Sequence, residues 1–330
     1  MTSSLEPIVL KLDDLSDVVN TVPYLLGFVP TESIVAVSMR GARERLEFTL
    51  RLDLLAADYD EQVAFMVADR MRLARADEVM LFVYTDDEPI EGWLPRRALI
   101  DRVVDAMPMP VRDALFVTDE RVWSYLCDDE CCPPEGRRRL YTTPGSLALS
   151  AAHALNGRAV LPDRDAVVAS VQPVSGPAGD VMARLTDEAA AAYAALEPRR
   201  ARTKARRLAT KIRARYDADR GSLTDQEAAA LVIALHDVRL RDTMIGWATP
   251  DSDAMRSLLG DLARRAQPPL DAPACAAFAW VSYLRGDGLV AATALDRALG
   301  SDPAYSLALL LQEAHERQVP PSALRWPSAH

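Results

Sequence analysis

Strand-like patterning stops near residue 175 of this chain, and that single change limits the folds open to it. Before it, short runs of β-branched and aromatic residues alternate with segments of helical spacing. After it, alanine and leucine dominate and the helical period continues almost to the end. A chain of 330 residues that changes pattern midway reads as two domains, an α/β domain with a mixed sheet and then an all-helical domain. The composition switch lies within Pro173–Pro177, which sets the expected domains at 1–175 and 176–330.

In the first half, Pro7–Leu12 is a short apolar run. Asp13 or Asp14 can cap a helix in which Leu15, Val18, Val19, Val22 and Leu26 recur at helical spacing, with Gly27 as its stop. Ser33–Met39 and Leu46–Leu52, joined across a Gly41-Ala42 turn, read as a hairpin whose second strand is wet on one face. Asp60–Ala74 predicts an amphipathic helix. Val79–Tyr84 is a continuous apolar run, the mark of a strand covered on both faces, and belongs in the centre of the sheet. A helix from Pro95 to Val104 follows, then strands Ala114–Val117 and Arg121–Tyr125 about an Asp119-Glu120 turn.

In the second half, prolines and glycines divide the chain into seven or eight predicted helices. Gly286, Ala291, Leu295, Ala298 and Pro303 sit at the intervals of a tetratricopeptide repeat, which predicts a tetratricopeptide-like helical end. The tryptophan and first glycine of that repeat are not matched, and one unit is present rather than an array.

Charge and composition exclude several classes. A formal net charge of −10 argues against a general nucleic-acid coat. No apolar run reaches the roughly 18–20 residues of a membrane span, so no membrane partner is expected. Met1–Pro7 has neither the basic nor the apolar region of a secretory signal. Four cysteines make no disulfide framework, and the expected compartment is the cytoplasm. Of 38 basic residues 35 are arginine, the bias of a GC-rich coding sequence, so arginine alone is no sign of phosphate recognition. The P-loop, G-x-S-x-G, H-E-x-x-H and G-x-G-x-x-G strings are absent.

Three places could carry chemistry. Asp86 and Asp87 follow the predicted central strand, where ligands of open α/β sheets gather. Asp53 ends Phe48–Leu52 and would join them if the two strands were parallel neighbours. Three such carboxylates suit Mg²⁺ and a metal-assisted hydrolase. Cys127, Cys131 and Cys132 form a C-x3-C-C cluster that could hold zinc with a fourth donor such as His153. The same cysteines could form a Cys127–Cys131 or Cys127–Cys132 disulfide, or be buried packing thiols, the reading favoured by the incomplete ligand set. The histidines His153, His236, His315 and His330 make no metal spacing of their own. Finally, residues 199–220 hold ten basic residues against Asp217 and Asp219, a local charge of +8 that leaves −18 on the remainder. On a helix, Lys204, Arg207, Lys211 and Arg215 fall on one flank, available to a polyanion, to an acidic partner or to the protein's own acidic surface. No aromatics are interleaved to stack bases.

Several strings together carry a family resemblance. They are Val22-Pro23-Tyr24-Leu25-Leu26-Gly27-Phe28-Val29-Pro30 with Ser33-Ile34-Val35, then Val83-Tyr84-Thr85-Asp86-Asp87. Next are Trp123-Ser124-Tyr125-Leu126-Cys127 with Cys131-Cys132-Pro133-Pro134-Glu135-Gly136, and last Tyr283–Gly288 with Asp302–Ala308. The chain resembles the actinobacterial domain-of-unknown-function (DUF) family numbered 4192 over nearly its whole length. The resemblance implies a bacterial, intracellular protein and transfers no catalytic residue or cofactor. Arg137-Arg138-Arg139 departs from it, where a small residue and a proline are expected.

The leading expectation is therefore an interaction or adaptor protein with a protein partner. The rivals are a hydrolase built on Asp53, Asp86 and Asp87, and a nucleic-acid-associated protein using the arginine-rich helix. Carboxylates converging in one cleft would favour the hydrolase. An apolar groove between the terminal helices would favour the adaptor, and a basic face left unpaired would favour nucleic acid.

Overall fold

A computed structural model describes residues 14–324 other than 42–44, 91–92, 128, 156–158, 219–220 and 251. The Pro7–Leu12 run, part of the Gly41-Ala42 turn and His330 lie outside the described residues. The chain divides into two compact units, Met1–Arg164 and Asp165–His330.

In the first unit the elements run α1 (Leu15–Leu26), β1 (Ser33–Arg40), β2 (Arg45–Asp53), α2 (Asp60–Leu73), β3 (Glu78–Tyr84), α3 (Arg97–Ala106), β4 (Val111–Val117), β5 (Arg121–Ser124), β6 (Arg137–Arg138) and α4 (Pro144–Leu155). The six strands form one sheet in the order β2-β1-β3-β4-β5-β6. Only the β3–β4 pair is parallel, so the sheet is mixed. The expected hairpin is β1 and β2, which pair antiparallel from Ser33↔Asp53 to Arg40↔Arg45. The expected central strand is β3, held between β1 and β4 and buried from Val79 to Tyr84. Its alternate side chains serve two cores. Val79, Leu81 and Val83 pack with Val63, Val67, Met71, Leu99, Ile100 and Val103 of α2 and α3. Met80, Phe82 and Tyr84 pack on the other face with Val19 and Val22 of α1. Burial on both faces is why this strand has no polar alternation.

Helix α1 begins where Asp14 accepts the Ser16 N–H at 2.7 Å and ends at Gly27, whose φ of +81° a side chain would resist. Its apolar face is the expected one, but Ser16, Asp17, Asn20 and Thr21 are buried as well. Asp17 accepts the backbone N–H of Ser146 at 2.8 Å and the Ser146 hydroxyl at 2.9 Å, with the Thr143 hydroxyl as a third donor. The carboxylate thus caps the first turn of α4. Asn20 donates to the Leu140 carbonyl at 2.8 Å and accepts from the Arg139 Nε at 2.7 Å. Gly145 is required here, because a Cβ on it would overlap the Asp17 carboxylate. Arg139, where the sequence departs from the expected pattern, is a buried member of this network.

The second unit is helical. Helix α5 (Arg164–Val171) leads into α6 (Gly176–Ala194), α7 (Pro198–Asp217), α8 (Asp225–Ala234), α9 (Val238–Ile245), α10 (Asp253–Arg265), α11 (Ala272–Leu284), α12 (Gly288–Ser301) and α13 (Ser306–Glu316). Eight helices therefore follow Gly176 among the described residues. The expected linker at Pro173–Pro177 is held by its backbone. The Val174 N–H donates to the Arg264 carbonyl at 2.8 Å, and the Val174 carbonyl accepts from the Gln267 side chain at 3.1 Å. At the centre, Arg297 of α12 is 7% exposed and pairs with the fully buried Asp271 at 2.8 Å. Its other donors reach the carbonyls of Val171, Ala263 and Ala266. Among the described residues no helix is long and apolar enough to cross a membrane.

Burial alone would raise the Asp17 pKa, but the hydrogen bonds from Thr143 and Ser146 outweigh it and hold it below the usual 3.8. A depressed folded-state pKa stabilises the fold above the unfolded value, and the contribution is lost as pH falls through the folded one. Asp17→Asn should therefore lower stability at pH 7 by roughly 1–3 kcal/mol and flatten its decline below about pH 4. Urea unfolding at the two ends of that range measures both, and an unchanged acid limb would contradict the assignment.

Candidate functional site

Helix α7 is the most basic element of the chain, and its packing decides which charges reach solvent. Glu197 caps its N-terminus, accepting the Arg200 N–H at 3.0 Å, and Pro198 fits the first turn, where an N–H is not needed. Its buried residues are Ala201, Ala205, Ala209, Ile212 and Tyr216. At about 100° per residue these fill a stripe only about 80° wide.

The margins of that stripe are fixed by polar pairs within the unit. Arg202 Nε meets Asp237 at 2.7 Å, and Asp237 also caps α9. Arg215 meets Glu227 at 2.7 Å, and Glu227 closes the capping box of α8 with Thr224. Burial alone would raise the Glu227 pKa, yet the Arg215 guanidinium and the Thr224 N–H hold it below the ordinary value. The Tyr216 hydroxyl donates to Asp261 of α10, and the Arg213 guanidinium lies 5.1 Å from the Trp247 ring centre.

The remaining basic side chains face outward. Arg199, Arg200, Lys204, Arg206, Arg207 and Lys211 are exposed, and none of them makes an ion pair among the described residues. With Thr203, Thr210 and Ala214 they cover an arc of roughly 160°, and the six cations extend over about 18 Å of helix. Arg200, Lys204, Arg207 and Lys211 form one row with neighbours about 5–6 Å apart. Two shallow grooves run along the arc, one lined by Arg199, Arg200, Thr203, Lys204 and Arg207 and the other by Thr203, Arg206, Arg207, Thr210 and Lys211. The hydroxyls of Thr203 and Thr210 donate back to the Arg199 and Arg206 carbonyls at 2.8 and 2.9 Å.

Three of the four flank residues named from sequence, Lys204, Arg207 and Lys211, thus share the open arc. Arg215 does not, because Glu227 of α8 draws it aside. Arg199, Arg200 and Arg206 were missed on sequence grounds, since a list of arginines does not say which will find carboxylates.

The aspartates are arranged differently from the expectation. β1 lies between β2 and β3, so the strands ending at Asp53 and Tyr84 are not neighbours. Asp53 pairs with Arg51, while the Asp86 N–H donates to Glu32 at 2.8 Å and the Asp87 N–H to the Thr85 hydroxyl at 3.3 Å. Among the described residues the one set of three potential metal ligands within 4.8 Å of one another is Cys127, Cys131 and Cys132, and Asp53, Asp86 and Asp87 form no such set.

The three cysteines are free thiols. Cys131 is exposed and the other two are half-buried, so the fully buried packing thiol is Cys275 instead. The Cys127 and Cys131 sulfurs stand 3.6 Å apart, and those of Cys131 and Cys132 3.8 Å apart. The Asp129 N–H and the Cys132 and Cys131 thiols lower the Cys127 pKa, whereas burial and the Cys127 and Cys131 thiols push Cys132 up to about 12. His153 is not part of the group; its ring packs 4.5 Å from that of Tyr24.

Residues 16–322 match the family described as Domain of unknown function (DUF4192), and the chain belongs to that family. No curated protein and no solved structure matches it.

The division of the α7 charges predicts two classes of variant. Arg215→Gln should cost about 1–2 kcal/mol by unpairing the half-buried Glu227, whereas Lys204→Gln and Lys211→Gln should each stay within about 0.5 kcal/mol. Urea titration of the three variants checks this, and equal losses would mean that the outward cations are paired in solution.

Proposed function

We propose that this DUF4192 protein is a cytoplasmic interaction protein whose helical unit holds the phosphate backbone of a nucleic acid against the outer face of α7. The observation that carries the reading is the row of exposed cations that make no ion pair among the described residues, in a chain whose remaining charge is −18. An acidic body repels a polyanion everywhere except at such a face, so encounter is steered to α7.

An acidic protein partner fits the arc less well. Protein interfaces are anchored by buried aromatic and apolar groups. This arc offers only Arg, Lys, Thr and one Ala, the first three being side chains that contact phosphate. Without aromatics to stack bases, binding should be indifferent to sequence. We also read α11 and α12 as a single tetratricopeptide-like hairpin. Gly286 makes the turn at a φ of +80°, Ala291 and Ala298 are fully buried between helices, and Pro303 follows the end of α12. Among the described residues no set of three carboxylates converges to support the hydrolase reading.

Fluorescence anisotropy with a labelled random-sequence DNA duplex tests the proposal. Binding should appear at low salt and weaken with a log–log slope on the order of −4 to −5, as expected for four to six neutralised phosphates. Replacing Arg200, Lys204, Arg207 and Lys211 together by Gln should abolish it, while each single replacement should reduce the slope by about 1. Absence of low-salt binding, or binding indifferent to the fourfold change, would refute the reading. Tighter binding to polyglutamate than to duplex would transfer the site to an acidic protein.

A further inference from the structure

The loop between β5 and β6 holds three sulfurs that the polyanion reading does not use. The loop is anchored at both ends. The Ser124 hydroxyl donates to Asp113 at 2.6 Å and accepts the N–H groups of Leu126 and Cys127 at 3.0 and 2.9 Å. On the return side, the Trp123 indole N–H donates to the Pro134 carbonyl at 3.0 Å, and Arg121 Nη1 reaches the Glu135 and Gly136 carbonyls at 2.9 Å each. Gly136 has a φ of +75° and lies so close to the Trp123 ring that any Cβ would overlap it. Between these anchors the Cys132 N–H donates to the Asp129 carbonyl at 2.8 Å, which turns the chain and brings Cys131 and Cys132 back beside Cys127.

Zinc–thiolate bonds of about 2.3 Å place two sulfurs of a tetrahedral site about 3.8 Å apart. The separations of 3.6 and 3.8 Å in this loop are close to that value, and all three sulfurs lie within 4.8 Å of one another. Adjacent cysteines often point apart; here Cys131 and Cys132 do not. A disulfide would join one pair at about 2.05 Å and leave the third sulfur aside, whereas these are spaced as three corners of one polyhedron. Three soft donors select a soft or borderline cation and not Mg²⁺ or Ca²⁺.

From this geometry we propose that Cys127, Cys131 and Cys132 form a zinc site with three thiolate ligands. Each cysteine gives up its S–H proton to solvent as the Zn–S bond forms. Uptake therefore releases up to three protons per ion and leaves a site charge of −1 before any fourth ligand is counted. No electron transfer is involved. The proposal is independent of the α7 reading.

The test uses the full chain, reduced and freed of metal, titrated with Zn²⁺ against a chromophoric chelator. One ion per chain is expected. Cys127→Ser, Cys131→Ser and Cys132→Ser should each weaken binding by about 100-fold or more, and Cys275→Ser should leave it unchanged. Metal-free melting of each variant, matched to that of the metal-free parent, separates loss of a ligand from loss of fold. Co²⁺ in place of Zn²⁺ should give intense thiolate-to-metal absorption with tetrahedral d–d bands. Stoichiometry well below one would overturn the site. So would an affinity unmoved by Cys131→Ser, or by Cys132→Ser. Cobalt spectra without thiolate-to-metal absorption would overturn it as well.

Discussion

Arg297 is the contact on which the helical unit most depends. Its guanidinium is almost wholly buried, and it spends its donors on Asp271 and on the carbonyls of Val171, Ala263 and Ala266. Those carbonyls close the last turns of α5 and α10, where the helix dipoles present negative charge, and Asp271 stands at the start of α11. One cation on α12 thus ties three other helices together. Removing it would leave Asp271 charged in the interior, a state that costs far more than the pair itself contributes. The Cys275 thiol next to this pair is pushed up to about 12 by burial, as expected of a thiol that packs and does not react.

Fixing α10 and its neighbours also fixes what α7 can do. The helix buries one narrow stripe of small residues plus Ile212 and Tyr216, and its margins are pinned by Asp237, Glu227 and Asp261 from α9, α8 and α10. Alanines let α7 lie close to its neighbours, and that closeness leaves no interior room for long basic side chains. Six of them therefore stand in water on one arc. The functional proposal follows from this exclusion as much as from the charge itself.

Much of the scaffold was legible from local pattern. The two-sided burial of Val79–Tyr84, the Ser33–Met39 and Leu46–Leu52 hairpin, the Gly27 stop and the number of helices after Gly176 all follow from period and turn chemistry. What escaped was long-range pairing. Asp17 and Asn20 fall outside the apolar spacing of α1, yet they are buried by partners some 120 residues away, Leu140 and Ser146. Arg297 looked like one arginine among 35. Asp53 and Asp86 could not be separated until the order of strands put β1 between β2 and β3. The cysteine cluster was visible as spacing, but the turn that aligns adjacent sulfurs was not. On α7, which arginines would be neutralised depended on carboxylates contributed by α8 and α9.

The chain has only three lysines, Lys11, Lys204 and Lys211, and two of them lie on the proposed face. Their acetylation rates, followed by mass spectrometry with and without a DNA duplex at low salt, report directly on whether phosphate covers α7. The account predicts that duplex slows modification of both Lys204 and Lys211 several-fold, and that high salt restores the rates. Rates unchanged by duplex under conditions where the protein is bound would contradict it, because the nucleic acid would then be held somewhere other than α7.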